Sequence, residues 1–83
     1  MWEAHPEVLV TDLGDELVLM HTGSSQMFQL NGSGRVVWQA LPATTRQIAS
    51  TLTGAFEVED SQAERDADTL LADLEAKNLI QRR

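Results

Sequence analysis

The sequence predicts an α+β domain in which a three-stranded antiparallel β-meander precedes three α-helices, and three observations carry that prediction. Two short runs rich in β-branched and apolar residues, followed by a third that alternates in character, are separated by glycine-bearing turn residues. At Asn31-Gly32-Ser33-Gly34 the period changes, and an extended segment passes through a glycine-rich corner into a helix start. From there to the last residues the apolar positions recur at helical spacing, punctuated by capping signals. With 83 residues the chain has room for one core, so residues 1–83 are read as a single domain.

Glu7–Asp12 and Glu16–His21 are the first two strands, joined by Leu13-Gly14-Asp15. A second turn at Thr22-Gly23-Ser24 leads into Ser25–Leu30, where Gln26, Phe28 and Leu30 alternate with Ser25, Met27 and Gln29. Phe28 and Leu30 therefore share a face that helices must cover. Asn31 is placed as the N-cap of the first helix, whose stripe is Val36, Val37, Trp38 and Leu41 and which Pro42 ends. Thr44 and Gln47 form a capping box for the second helix, with Ile48, Ala49 and Leu52 inward and Gly54 as its stop. Phe56 is expected to plug the core after it. Ser61 and Glu64 are read as a second capping box, opening a longer helix that runs to about Lys77. Asn78 then takes the left-handed position, and Leu79 and Ile80 fold back.

On the third helix, at about 100° per residue, Ala63, Ala67, Leu70, Leu71 and Leu74 share one face, with Asp66 and Asp73 along one edge and Glu64 and Glu75 along the other. This stripe is partly core. Its Ala67, Leu70 and Leu71 portion is also suited to forming the wall of a groove.

Thirteen acidic against six basic residues give a formal charge of −7, a field that repels phosphate backbones unless the cations cluster. Arg35, Arg46, Arg65 and Lys77 are scattered, and nothing interleaves cations with aromatics, so nucleic acid is not an expected partner. No apolar run approaches membrane-spanning length, and Met1–Pro6 carries no export signal. Absence of cysteine suits the cytoplasm and removes thiolate chemistry. Serines cluster in turns with no ordered histidine and acid partners, so no catalytic residues are assigned and no enzyme activity is expected. His5 and His21 match no metal spacing and are read as surface or turn histidines, so no metal and no cofactor is expected. Trp38 is assigned to the core, whereas Trp2, ahead of the first strand, is expected on the surface or loosely held.

Strands followed by helices in this order make a winged helix-turn-helix-like layout. The chain resembles, more specifically, the PqqD-like family of peptide recognition domains, also called RiPP recognition elements, from about Pro6 to Ile80. The residues carrying the resemblance are Leu30-Asn31, Gly34, Trp38 and Leu41; then Thr44 or Thr45, Ile48, Ala49, Leu52 and Phe56; then Asp66, Ala67, Leu70, Leu71 and Leu74, closing on Asn78-Leu79-Ile80. Asn78 stands where the family commonly has glycine, and Pro42-Ala43 replaces its acidic-glycine turn. The Leu-Asn-Gly-x-Gly-x-x-x-Trp form is most similar to the discrete recognition proteins of lasso-peptide biosynthesis.

The resemblance implies a non-catalytic protein that captures the leader region of a ribosomally synthesised precursor peptide as an added β-strand and delivers it to a leader peptidase or other modifying enzyme. The implied peptide-binding residues are Gln26, Met27, Phe28, Gln29 and Leu30 on the third strand, and Asp66, Ala67, Leu70, Leu71 and Leu74 on the third helix. Within that set Ala67, Leu71 and Asp66 are expected to face the cleft, and Leu74 the core beneath Trp38. Alternatives with the same layout are a winged-helix transcription regulator and an interaction domain that dimerises through its open strand. The expected state is a monomer or a weak homodimer.

Overall fold

The structure is a computed structural model describing all residues from Met1 to Arg83. Its elements in order are β1 (Trp2–Ala4), β2 (Val8–Asp12), β3 (Glu16–His21), β4 (Gln26–Asn31), α1 (Gly32–Ala40), α2 (Thr45–Ala55), α3 (Asp60–Ala76) and β5 (Ile80–Arg82). The expected meander is present, with β3 between β2 and β4 in an antiparallel sheet. Leu19 stands opposite Val10 on one side and Phe28 on the other, and Leu17 stands opposite Leu30. Facing strand residues share a face, so Leu17, Leu19, Phe28 and Leu30 all point toward the helices.

Two turns depend on the left-handed backbone that glycine adopts without strain: Gly14 at φ 97° between β2 and β3, and Gly32 at φ 50° where β4 becomes α1. Asn31 is the N-cap of α1 by backbone conformation, but its side chain makes no capping hydrogen bond. The Thr44–Gln47 capping box forms in both directions. Asn78 adopts φ 59°, as the left-handed reading requires, and Leu79 and Ile80 turn back into the core.

Four expectations are corrected. The helix α3 starts at Asp60 with Glu59 as N-cap and no side-chain bond, so Ser61 and Glu64 form no capping box; Asp60 in the first turn complements the helix dipole instead. The helix α2 runs through Gly54 to Ala55, because one glycine lowers helix propensity without terminating hydrogen bonding. Phe56 is the C-cap of α2 and is exposed, leaving the core to Ile48, Ala49 and Leu52.

The largest correction is Trp2. It is 8% exposed and belongs to the core cluster with Trp38, Leu71, Leu74 and Ile80. Its burial follows from a second sheet that the sequence does not announce: β1 pairs antiparallel with β5, Trp2 opposite Arg82. On its other edge Trp2 exchanges backbone hydrogen bonds of 2.7 and 3.0 Å with Ala43. The indole Nε1 donates to Thr45 Oγ1 at 3.0 Å, and the Arg82 guanidinium lies 4.8 Å from the ring centroid. No helix is long and apolar enough to cross a membrane.

Candidate functional site

The free edge of β4 is the feature to which the rest of the site is fitted. Strand β4 ends the sheet, so one side of its backbone has no strand partner. Which residues face outward follows from the ladder. Thr22 donates to Glu7 at 2.9 Å and Leu13 to Glu16 at 2.9 Å, and antiparallel hydrogen bonding alternates residue by residue, so the even-numbered residues of β3 serve β2. Leu17, Leu19 and His21 then serve β4 through Leu30, Phe28 and Gln26. The N–H and C=O groups of Met27 and Gln29 are left pointing away from the sheet. Both side chains are exposed as well, Met27 strongly so at 65%.

Beside this edge lies a strip of half-buried apolar surface. Phe28 and Leu30 pack on the core without being covered, and Leu70 of α3 does the same. Lys77 extends over Phe28, its Nζ 5.5 Å from the ring centroid, and so sets the side of α3 that borders the strand. At 100° per residue Asp66, Leu70, Asp73 and Lys77 occupy that same edge of the helix. No backbone pairing joins β4 to α3, and the half-buried Phe28, Leu30 and Leu70 mark the apolar strip beside the open edge.

The sequence-predicted residues divide accordingly. Gln26, Met27 and Gln29 are exposed on β4; Phe28, Leu30, Asp66 and Leu70 are half-buried. Ala67, Leu71 and Leu74 are closed over, at 0%, 2% and 2% exposure. Leu74 is core as expected, but Ala67 and Leu71 are not open to a cleft. The reason is packing: α3 lies against α2 along its length, and the i, i+4 series Ala63, Ala67, Leu71 forms the seam. Lys77 escaped the sequence reading, although its place seven residues beyond Leu70 puts it on the Leu70 edge.

Polar groups along that edge are held by neighbours. Asp66 Oδ1 accepts from Gln62 Nε2 at 2.8 Å, and Lys77 Nζ donates to Asp73 Oδ2 at 2.9 Å. Away from it, the Asp12 carboxyl pKa lies below its ordinary value chiefly because it accepts the Gly14 N–H; desolvation opposes this, and the charge and hydrogen bond of Arg35 add smaller downward pulls. Four shallow surface cavities of about 220 to 350 Å³ lie elsewhere, and β4 lines none of them. What β4 presents is a linear edge suited to an extended chain.

One further constellation was not legible from spacing. His5, Glu7 and His21 bring their donor atoms within 4.8 Å of one another. Neither histidine is a plain surface residue: His21 is the one buried polar side chain, at 9%, and His5 is half-buried.

A winged-helix-like domain with an unpaired strand edge beside a half-buried apolar strip is the class of protein that this geometry defines. The chain belongs to the PqqD family, whose description is coenzyme PQQ synthesis protein D and whose profile matches residues 16–80. Among solved structures it is similar to TbiB1, determined in complex with the TbiA(beta) leader peptide, at TM-score 0.91 and 24% identity over 98% of this chain and 96% of that one. It is also similar to a lasso peptide synthetase B1 complexed with the leader peptide, at TM-score 0.86 and 28% identity over 98% of each chain. No curated protein matches it in sequence.

Proposed function

We propose that this protein binds the leader region of a ribosomally synthesised precursor peptide, taking it up as an additional strand on β4 and presenting it to a leader peptidase or other modifying enzyme. The observation that carries the reading is the open β4 edge, with Met27 and Gln29 offering main-chain donors and acceptors beside a half-buried apolar strip. The fold shared with two proteins solved with leader peptides supports it.

Main-chain pairing accepts almost any extended peptide, so selectivity rests on alternate side chains packing on that strip. Phe28, Leu30 and Leu70 form its apolar surface. Asp66 and Lys77 are its polar contacts. A buried apolar anchor contributes ~1.5 to 3 kcal/mol, whereas ordering a disordered leader costs ~2 to 5 kcal/mol. Two or three anchors are therefore required. The role is binding and delivery, without chemistry of its own, and a formal charge of −7 disfavours the DNA-binding alternative.

Fluorescence polarisation with fluorescein-labelled precursor leader peptides, the TbiA(beta) leader among them, tests the reading. Saturable one-to-one binding that survives physiological salt is expected. A leader that fails to bind while the chain sediments as a dimer would instead assign the β4 edge to self-association.

A further inference from the structure

Outside the β4 edge, the arrangement of His5, Glu7 and His21 is the one cluster in the molecule with the donor set of a metal site. We infer that these three side chains form a binding site for a single divalent first-row transition ion, with zinc as its representative, where the β1–β2 connector meets the end of β3. The site does not depend on leader binding.

The backbone carrying the three side chains is fixed from several directions. His5 N donates to Leu79 O at 2.9 Å, and Val8 N donates back to His5 O at 3.0 Å, closing a turn around Pro6. Glu7 O accepts from both the N–H and the hydroxyl of Thr22, each at 2.9 Å, which ties the connector to the residue after His21. The imidazole centroids of His5 and His21 are 4.9 Å apart. A tetrahedral zinc site separates its ligand atoms by roughly 3.3 Å, given zinc–nitrogen bonds of about 2.0 to 2.1 Å, so the donors draw in by up to about 1.5 Å. Glu7 is exposed and free to make that movement.

Ring orientation bears on which atoms would coordinate. Each Nδ1 accepts a backbone N–H: His5 from Glu7 at 3.1 Å and His21 from Ser24 at 3.3 Å. An accepting ring nitrogen directs its lone pair at that donor, so a metal at Nδ1 takes the place of the N–H. Both N–H donors lie near the surface, where water replaces the metal-displaced bond. The Glu7 carboxylate has no ion-pair partner, so its charge is available to the metal.

Gly23 is the second observation. A Cβ there would lie 2.7 Å from Glu7 Oε2, 3.0 Å from His21 Cε1 and 3.3 Å from His21 Nδ1. The missing side chain leaves open the space that the carboxylate and the imidazole share. Two imidazoles and one carboxylate suit zinc, nickel, cobalt and copper, whereas magnesium and calcium demand oxygen-rich sets. Three protein ligands leave the fourth position to water.

Isothermal titration of the untagged, chelator-stripped chain with zinc chloride, checked by elemental analysis, provides the test. One zinc per chain is expected, with a raised melting temperature at saturation and no comparable heat from magnesium or calcium. Cobalt in place of zinc is expected to give visible ligand-field absorption. His21 is buried and its replacement risks the fold, so Glu7→Gln and Gly23→Ala are the decisive variants, at exposed positions without positive φ. Glu7→Gln should leave the metal-free melting temperature near the parent's, and each variant should weaken zinc by about tenfold or more. Absence of saturable binding, or equal zinc affinity in both variants and the parent, overturns the site.

Discussion

Leu70 and Leu71 are adjacent in sequence and opposite in consequence. Leu71 is closed into the seam with α2, so Leu71→Ala should lose ~2 to 5 kcal/mol of stability in urea unfolding, as should Leu74→Ala. Leu70 is half-covered on the strand side, so Leu70→Ala should keep its melting temperature within a few degrees and weaken leader binding about tenfold, or ~1.4 kcal/mol. The opposite ranking in affinity, with Leu71→Ala the weaker binder per folded molecule, would move the binding strip to the other side of the helix. Asp12 makes a separate prediction. Its pKa in the folded chain lies below 3.8, so the stability it adds is present above that value and is lost as pH falls through the lower folded-state value. A carbon-detected NMR titration should place its midpoint below 3.8. Arg35→Gln should restore only part of the difference, since the Gly14 N–H is the larger cause. At this scale the sequence was least informative. The Leu70–Leu71 division depends on which flank of the stripe α2 covers, and helical periodicity is blind to that.

Among the elements, β4 is where function and folding make opposing demands on one backbone. Phe28 and Leu30 turn their N–H groups to β3, while Met27 and Gln29 turn theirs outward. Proline at an outward position removes a donor that only an incoming strand uses, so Met27→Pro and Gln29→Pro should each stay folded by circular dichroism and lose leader binding. Phe28→Pro, by contrast, should break the β3–β4 ladder and destabilise the domain. If Met27→Pro and Gln29→Pro bind the leader normally, strand addition on β4 is wrong. The elements themselves were largely legible: alternation located the meander to within a residue or two, and the Thr44–Gln47 box marked the start of α2. The start of α3 was not, because Ser-x-x-Glu satisfies the capping pattern wherever it falls, and Asp60 ahead of it was already helical. The hairpin register also holds a signal for the histidine cluster. With Val8 opposite His21, the residue before Val8 lies beside the end of β3, fourteen positions away in sequence.

For the whole molecule, the unannounced feature is the short ladder between the two chain ends. Strands β1 and β5 have three residues each and pair across almost the full length, so neither carries a pattern long enough to read. Trp2 was consequently misplaced on the surface. Trp2→Ala removes a core side chain, its bond to Thr45 and its contact with Arg82, and should cost ~3 to 5 kcal/mol. Chemical denaturation measures it directly. Trp2→Phe, which keeps the bulk and loses the donor, should cost markedly less.

That ladder also bears on how the chain reaches this structure. The meander and the three helices close through neighbouring contacts, but Met1 and Arg83 meet only across the longest loop available, joined by a 2.8 Å bond from Arg83 N to Met1 O. Loop closure of that length carries the largest entropic cost in the molecule and belongs at the end of folding. Linking the ends with a few glycines and reopening the chain at the exposed Leu13–Asp15 turn would convert the most distant pairing into a hairpin. Such a circular permutant keeps the β4 edge intact but makes the longer β2–β3 ladder the most distant pairing in place of β1–β5, so it is expected to refold more slowly than the parent in stopped-flow measurements while binding the same leader.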